Sequence, residues 1–265
     1  MTNVPWVVDA AAVTQAAGLR LVHVINDLES MAHSIPVLEP SELAVVQQGI
    51  AQPNGNAAVI AAGTGLGEAL LLNLDGRFVP GASEGGHADW GARTPREIEM
   101  LAILTRVYGR CSVEHVICGP GLVNIYQFTH DAFGSRTFIT PAAFVPARTC
   151  AGVGAVDDPA DLPAAISKSA LEKRCAQCVE ALEMFVAAYG AEAGNLALRM
   201  VATAGVYVGG GIAPKILSAI ESGAFVDAFR AKAPMDAFVA TIPIAVILNS
   251  EAGLLGAAVH ANTYA

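Results

Sequence analysis

Apolar residues in this chain fall into short runs that end near glycine, asparagine or aspartate, with amphipathic stretches between them. That alternation is the pattern of an α/β protein. The runs that read as strands are Leu19 to Ile25, Ala57 to Ala62, Ala69 to Leu74, His115 to Cys118, Val206 to Val208 and Ile242 to Leu248. The clearest helix start is Thr94-Pro95-Arg96-Glu97, where Thr94 is placed to cap, Pro95 suits the first turn, Glu97 closes a capping box and Gly109 ends the helix. Residues Ala164 to Thr203 read as helices broken near Gly190 and Gly194. The segment from Phe133 to Asp161, rich in Pro, Ala, Gly and Thr, reads as a long connection.

Composition narrows the function classes. With 265 residues, 54% of them hydrophobic, the chain can bury a core of one large domain or one and a half. The apolar bias does not read as a membrane span, because the longest stretches, Ala57 to Leu72 and Phe238 to Leu248, are interrupted by Gly, Pro or charge. A spanning helix needs about 20 predominantly apolar residues. Residues Met1 to Ala12 lack a basic region followed by an apolar one, so the sequence reads as cytoplasmic, without a signal peptide. A net charge of -9 and no Lys/Arg cluster argue against a nucleic-acid surface and for a small soluble substrate.

The five cysteines are an odd number in a mid-sized chain, which fits reduced thiols better than a disulfide framework. Cys175 and Cys178 form a CxxC inside a helical pattern. With no second CxxC or Cys/His pair to complete a metal site in the sequence, they read as two thiols on one helix.

Four constellations carry chemistry. The first is Ala57-Ala-Val-Ile-Ala-Ala-Gly63-Thr64-Gly65-Leu66-Gly67, an apolar strand entering a turn of alternating glycines. Such a turn lets backbone N–H groups approach phosphate oxygens, with Thr64 adding a hydroxyl, although a β-hairpin would give the same sequence. The second is Asn26-Asp27 at the end of a strand-like run. Asp27 is there a candidate general base and Asn26 a candidate hydrogen-bond partner for a sugar, with helix capping as the alternative. The third is Glu84-Gly85-Gly86-His87, a loop whose acid and histidine can converge on a polyhydroxylated ligand. A metal held by Glu84, His87 and Asp89 fails on ligand count. The fourth is Val208-Gly209-Gly210-Gly211 before Pro214, where a strand meets a helix start and a flat or phosphorylated ligand could approach closely.

The order of these blocks along the chain resembles the bacterial-type glucokinase family of actin-like sugar kinases. The resemblance also takes in Glu114-His-Val-Ile-Cys-Gly119-Pro-Gly121-Leu122 and Gly253-Leu-Leu-Gly256, and it runs almost end to end. It implies an α/β, actin-like (ribonuclease H-like) fold and ATP-dependent phosphorylation of glucose, with ATP and Mg²⁺ as cofactors. In that family likeness Asp27 corresponds to the base that takes the proton of the sugar 6-hydroxyl. Asn26, Glu84, His87 and Glu114 correspond to the sugar-holding residues. Gly63, Thr64, Gly65 and Gly67 resemble a phosphate loop, and Gly209, Gly210 and Gly211 the adenosine-side turn. The same likeness suggests a homodimer.

Family members begin with a strand and an Asp-Gly-Gly-Thr type turn that contacts ATP phosphates. Here the match starts after that point, since Asp9 is followed by Ala10-Ala-Ala-Val. The expectation is a complete large domain (37–252), and a partial small domain made of residues 1–36 and the C-terminal helix (253–265), with exposed edges and weak or absent turnover. The CxCGxxGC zinc pattern of the related repressor/kinase group does not occur. A sugar-binding pseudokinase and a kinase for another hexose stay open at this level.

Overall fold

The computed structural model describes residues 7–131 and 149–264. The expected connection therefore lies partly outside the described residues, as do residues 1–6. Of the connection, 149–161 is described and consists of turns with a short 3₁₀ helix, Pro159–Asp161.

One six-stranded sheet organises the fold. Its strands are β1 (Leu43–Gln47), β2 (Ala57–Ala62), β3 (Leu66–Leu74), β4 (Arg77–Ser83), β5 (Gly205–Gly209) and β6 (Ile244–Ile247), in the spatial order β1-β6-β5-β2-β3-β4. β5 runs parallel to both β2 and β6, while the other pairs are antiparallel. β2 is buried along its whole length because both of its faces are covered, and that is why it reads as unbroken Ala/Val/Ile. Period-2 alternation sends Ala58, Ile60 and Ala62 into the larger core on one face and Ala57 and Val59 into a smaller core on the other.

The larger core packs under α3 (Pro95–Tyr108), α4 (Gly119–Thr129), α5 (Leu162–Leu171), α6 (Ala176–Met200) and the short helices α7 (Leu217–Ile220), α8 (Ala224–Arg230) and α9 (Asp236–Val239). The other face is covered by α2 (Asp27–Ser34) and α10 (Ala252–Tyr264). These two helices meet where the Ser30 hydroxyl donates to the Gly253 carbonyl at 2.6 Å. α1 (Ala10–Ala17) buries none of its residues, and Val7, Leu21 and Val24 along the same stretch are exposed.

Several expectations are corrected. Leu19 to Ile25 forms no strand, because it pairs with none of the strands of the sheet among the described residues. The run His115 to Cys118 is no strand: it begins in the 3₁₀ helix Val113–His115 and continues as a turn. Its buried residues Val113, Val116 and Ile117 follow a helical spacing and not an alternating one. β1 and β4 had no counterpart among the expected strands. β4 contains Pro80 and Gly81, which break the strand signal but are tolerated on an outer strand with one free edge.

α6 continues through Gly190 and Gly194. These glycines mark close helix packing: a Cβ on Gly190 would overlap the Phe225 carbonyl, and one on Gly194 would stand 2.6 Å from the Phe229 carbonyl. The α3 expectation is met in detail, since the Thr94 and Glu97 side chains form the reciprocal capping box and Gly109 caps the far end at φ 77°.

The α2/α10 contact carries a chain of histidines. His260 Nδ1 lies 3.0 Å from His33 Nε2, and His23 Nδ1 lies 3.1 Å from His260 Nε2. Burial holds His33 below its ordinary value of 6.5, and the neighbouring His260 and Arg77 add to this against the opposing charge of Glu29. The folded chain therefore binds this proton less tightly than the unfolded one, so stability rises with pH between the depressed folded value and 6.5. The expected result is a lower urea midpoint at pH 5.5 than at pH 7.5, with the difference reduced in His33→Gln. An identical pH dependence in the variant would remove His33 as its source.

Candidate functional site

The site is built on the carboxyl ends of β2 and β5. Their parallel register pairs Ala61 with Gly209, so the Gly63-Thr64-Gly65 turn and the Gly209-Gly210-Gly211 turn emerge side by side. Gly210 has φ 83°, and any Cβ there would collide with the Ala62 carbonyl, so only glycine fits. A single side chain from α6 ties both turns to the helical layer. The Tyr189 hydroxyl accepts from Ala62 N–H at 3.1 Å and lies 3.2 Å from the Ile60 carbonyl and 3.3 Å from the Gly209 carbonyl, to one of which it donates. Tyr189 is fully buried, and burial pushes its phenol well above the ordinary range, so it stays neutral.

The Gly63–Gly65 turn is a β-hairpin, closed by Gly63 N–H donating to the Gly65 carbonyl at 2.8 Å, and it stands between a cavity and the Glu114 carboxylate. On one side is a cavity of about 510 Å³. Gly63 and Thr64 border it together with Gly211, Lys215, Tyr108 and Asn124, and the segment from Pro159 to Ser167 closes its far side. Its Gly119 edge is joined to the turn, because Gly119 N–H donates to the Gly63 carbonyl at 2.8 Å. Tyr108 donates to Asn124 Oδ1 at 3.0 Å, and Asn124 donates to the His115 carbonyl at 2.8 Å, which fixes that wall to the 3₁₀ turn behind it.

On the other side of the turn stand the polar candidates. Glu114 accepts the Leu66 N–H at 2.8 Å, and its Oε2 occupies the space beside Gly65. Gly86 packs against the Leu66 carbonyl, which brings the Glu84–His87 loop onto the same strand end. Glu84 and His87 are both exposed, with His87 Nε2 3.8 Å from the Glu84 carboxylate. Under the loop, Glu68 packs against Gly85. Burial raises the Glu68 carboxyl to about 7, helped by the charge of Glu192 and opposed by Arg199.

Asn26 and Asp27 reach this rim from the α2 N-terminus. Asn26 caps the helix, accepting from Leu28 N–H at 2.9 Å and Glu29 N–H at 3.3 Å, so the capping alternative holds for its side-chain oxygen. Asp27, exposed at the first helical position, accepts from Leu28 N–H at 2.9 Å. The Leu28 side chain fills the space beside Gly67, which anchors this helix start to β3.

The structure thus separates the candidate glycines. Gly63, Thr64 and Gly211 face the cavity, whereas Gly65, Gly67, Gly209 and Gly210 shape the turns against Glu114, Leu28, Met31 and Ala62. Lys215 and Tyr189 were not among the sequence candidates. Lys215 follows Pro214 immediately after the glycine turn, a placement that sequence inspection could have flagged. Tyr189 lies in mid-helix and carries no local signal.

Replacing Tyr189 by Phe leaves the Ala62 N–H unpaired in the core. The unfolding free energy should fall by about 1–3 kcal/mol. Urea denaturation would read this directly, and an unchanged midpoint would mean that the hydroxyl holds nothing.

A family model described as Glucokinase matches residues 1–264. Glucokinase from Synechocystis sp. is 37% identical over 264 residues, which are 98% of this chain and 74% of that protein. Among solved structures, a glucokinase from an Antarctic psychrotroph is 28% identical with a TM-score of 0.79, covering 96% of this chain and 72% of that one. A ROK family glucokinase from Streptomyces griseus, in complex with glucose and AMPPNP, shares the fold at a TM-score of 0.58 and 22% identity, covering 94% of this chain and 70% of that one.

Proposed function

This chain belongs to the glucokinase family, and from that premise we propose how it transfers the γ-phosphoryl group of ATP to the 6-hydroxyl of glucose. The observation that carries the reading is the shared wall: one glycine turn borders the 510 Å³ cavity through Gly63 and Thr64 and abuts the carboxylate Glu114 through Gly65. ATP in the cavity and a sugar on the Glu114 side would meet across this turn. A related structure holds both glucose and an ATP analogue, which fits a pair of adjoining subsites.

In this reading Asn26, Glu84, His87 and Glu114 hold the sugar hydroxyls. The Gly63–Gly65 backbone, the Thr64 hydroxyl and the Lys215 ammonium approach the phosphates, and the Gly209–Gly211 turn with Tyr108 and Asn124 bounds the nucleoside. Asp27 accepts the proton of the 6-hydroxyl as that oxygen bonds to the γ-phosphorus and the bond to ADP breaks. The products are glucose 6-phosphate and ADP. Bound together with ATP, Mg²⁺ would supply neutralisation of the phosphate charge. It is commonly held by one or two carboxylates together with phosphates and water. The remaining work is alignment and exclusion of water, for which a rigid pair of turns is suited. The division into residues 1–36 with 253–265 and residues 37–252 belongs to the same proposal, as does a homodimer.

The test is glucose 6-phosphate formation with Mg-ATP. Asp27→Ala should lower kcat by about 10²-fold or more and leave glucose bound. Glu84→Ala and His87→Ala should abolish glucose binding, and unchanged binding in all three variants would sink the assignment. Lys215→Ala should raise the KM for ATP about tenfold, the worth of one charge-assisted contact, while glucose binding stays as it was. A changed glucose affinity with an unchanged KM for ATP would move Lys215 out of the nucleotide subsite.

A further inference from the structure

Away from this site, the fold gathers three of the five cysteines and one histidine. His130 caps the C-terminus of α4, Cys150 follows residues 132–148, Cys175 caps the N-terminus of α6, and Cys178 lies in the first turn of that helix. Their ligand atoms all lie within 4.8 Å of one another, and none of the four borders the cavity. The reading of Cys175 and Cys178 as two thiols on a helix is thereby changed: the partners that the sequence did not supply nearby are brought in from 25 and 45 residues upstream. We propose that His130, Cys150, Cys175 and Cys178 form a structural Zn²⁺ site.

Two edges of the cluster match those of tetrahedral zinc. With Zn–S about 2.3 Å and Zn–N about 2.0–2.1 Å, a tetrahedron has S···S edges of about 3.8 Å and S···N edges of about 3.6 Å. Here Cys150 Sγ and Cys178 Sγ are 3.7 Å apart, and Cys175 Sγ is 3.4 Å from His130 Nε2. The imidazole is set for ligation, since His130 Nδ1 lies 2.8 Å from the Tyr126 carbonyl. Donation to that carbonyl places the proton on Nδ1 and leaves the Nε2 lone pair on the thiol side, the arrangement typical of zinc-bound histidines.

The surroundings also fit a metal-bound sulfur. Ser169, only 1% exposed, lies beside Cys178 with a hydroxyl that has no hydrogen-bond partner among the described residues. Such an otherwise orphaned donor beside a sulfur is accounted for when that sulfur is a metal-bound thiolate. The start of a 25-residue helix adds a favourable dipole for the net negative Cys₃His complex. On binding, three Zn–S bonds and one Zn–N bond form and the thiol protons pass to solvent, so uptake releases protons and weakens in acid. Four protein ligands leave no open position, so the site is structural and not catalytic. It would pin the end of α4 to the start of α6.

The test uses the whole chain, purified under reducing conditions. Metal analysis should find about one zinc per chain after exposure to Zn²⁺ and removal of excess. Replacement by Co²⁺ should give the intense d–d absorption of a tetrahedral ion with thiolate charge-transfer bands. Cys150→Ser and Cys175→Ser should lose the zinc, and Cys111→Ser, outside the cluster, should keep it. Absence of zinc from the reduced wild-type chain would overturn the proposal. So would an octahedral cobalt spectrum without thiolate bands, or full zinc retention in both cluster variants. The wild-type measurements decide the matter even if a variant fails to fold.

Discussion

The parallel pairing of β2 with β5 is the constraint on which the rest of the site depends. Two strands that end together deliver two turns together, and the chain has a glycine-rich turn at each end. Where α/β sheets bind ligands outside the carboxyl ends of their strands, the geometry usually follows from topology alone. Here it is fixed more tightly. Tyr189 crosses from α6 to both strand ends with one hydroxyl, and Gly210 lets the second turn close onto the Ala62 carbonyl. A site for phosphoryl transfer gains most from such rigidity, because alignment and charge neutralisation do more of the work than reactive side chains.

What could be read from the sequence follows from how local each signal is. The buried strand at Ala57 to Ala62, the Thr94–Glu97 cap and the glycine turns declare themselves within a few residues, and the structure contains them. The run Leu19 to Ile25 has the composition of a strand, but a strand exists only with a partner, and composition does not supply one. The run around His115 to Cys118 is apolar at helical spacing, and reading it as alternating made a turn look like a strand. Gly190 and Gly194 carry the breaker signal of a loop, yet they sit mid-helix because α8 approaches too closely for a Cβ. For Leu19 to Ile25 and for the two glycines the decisive quantity was a partner elsewhere in the chain, absent in the first case and close in the second.

The same distinction separates the polar candidates. Asn26, Asp27, Glu84, His87 and Glu114 come from three stretches of chain, and the turn around Leu66 is what draws them together: its N–H holds Glu114, its carbonyl faces Gly86, and the next residue, Gly67, receives Leu28. Resemblance to a family could name those residues without that mechanism. Tyr189 lay outside the named blocks and emerges only when the strand ends are traced in space, whereas Lys215 stands one residue past such a block and borders the cavity.

The cysteine cluster extends this argument to the frame behind the cavity. α4 begins at Gly119, whose N–H is bound to the Gly63 carbonyl of the shared turn, and it ends at His130 in the cluster. α6 begins in the cluster at Cys175 and carries Tyr189 to the strand ends. The two helices that hold the turn from opposite sides therefore converge on the same four ligands. A metal at that junction would restrain both helices relative to each other while leaving the cavity itself untouched. Zinc binding and the rigidity of the glycine turns would then be linked through two packed helices, with no side chain shared between the two sites.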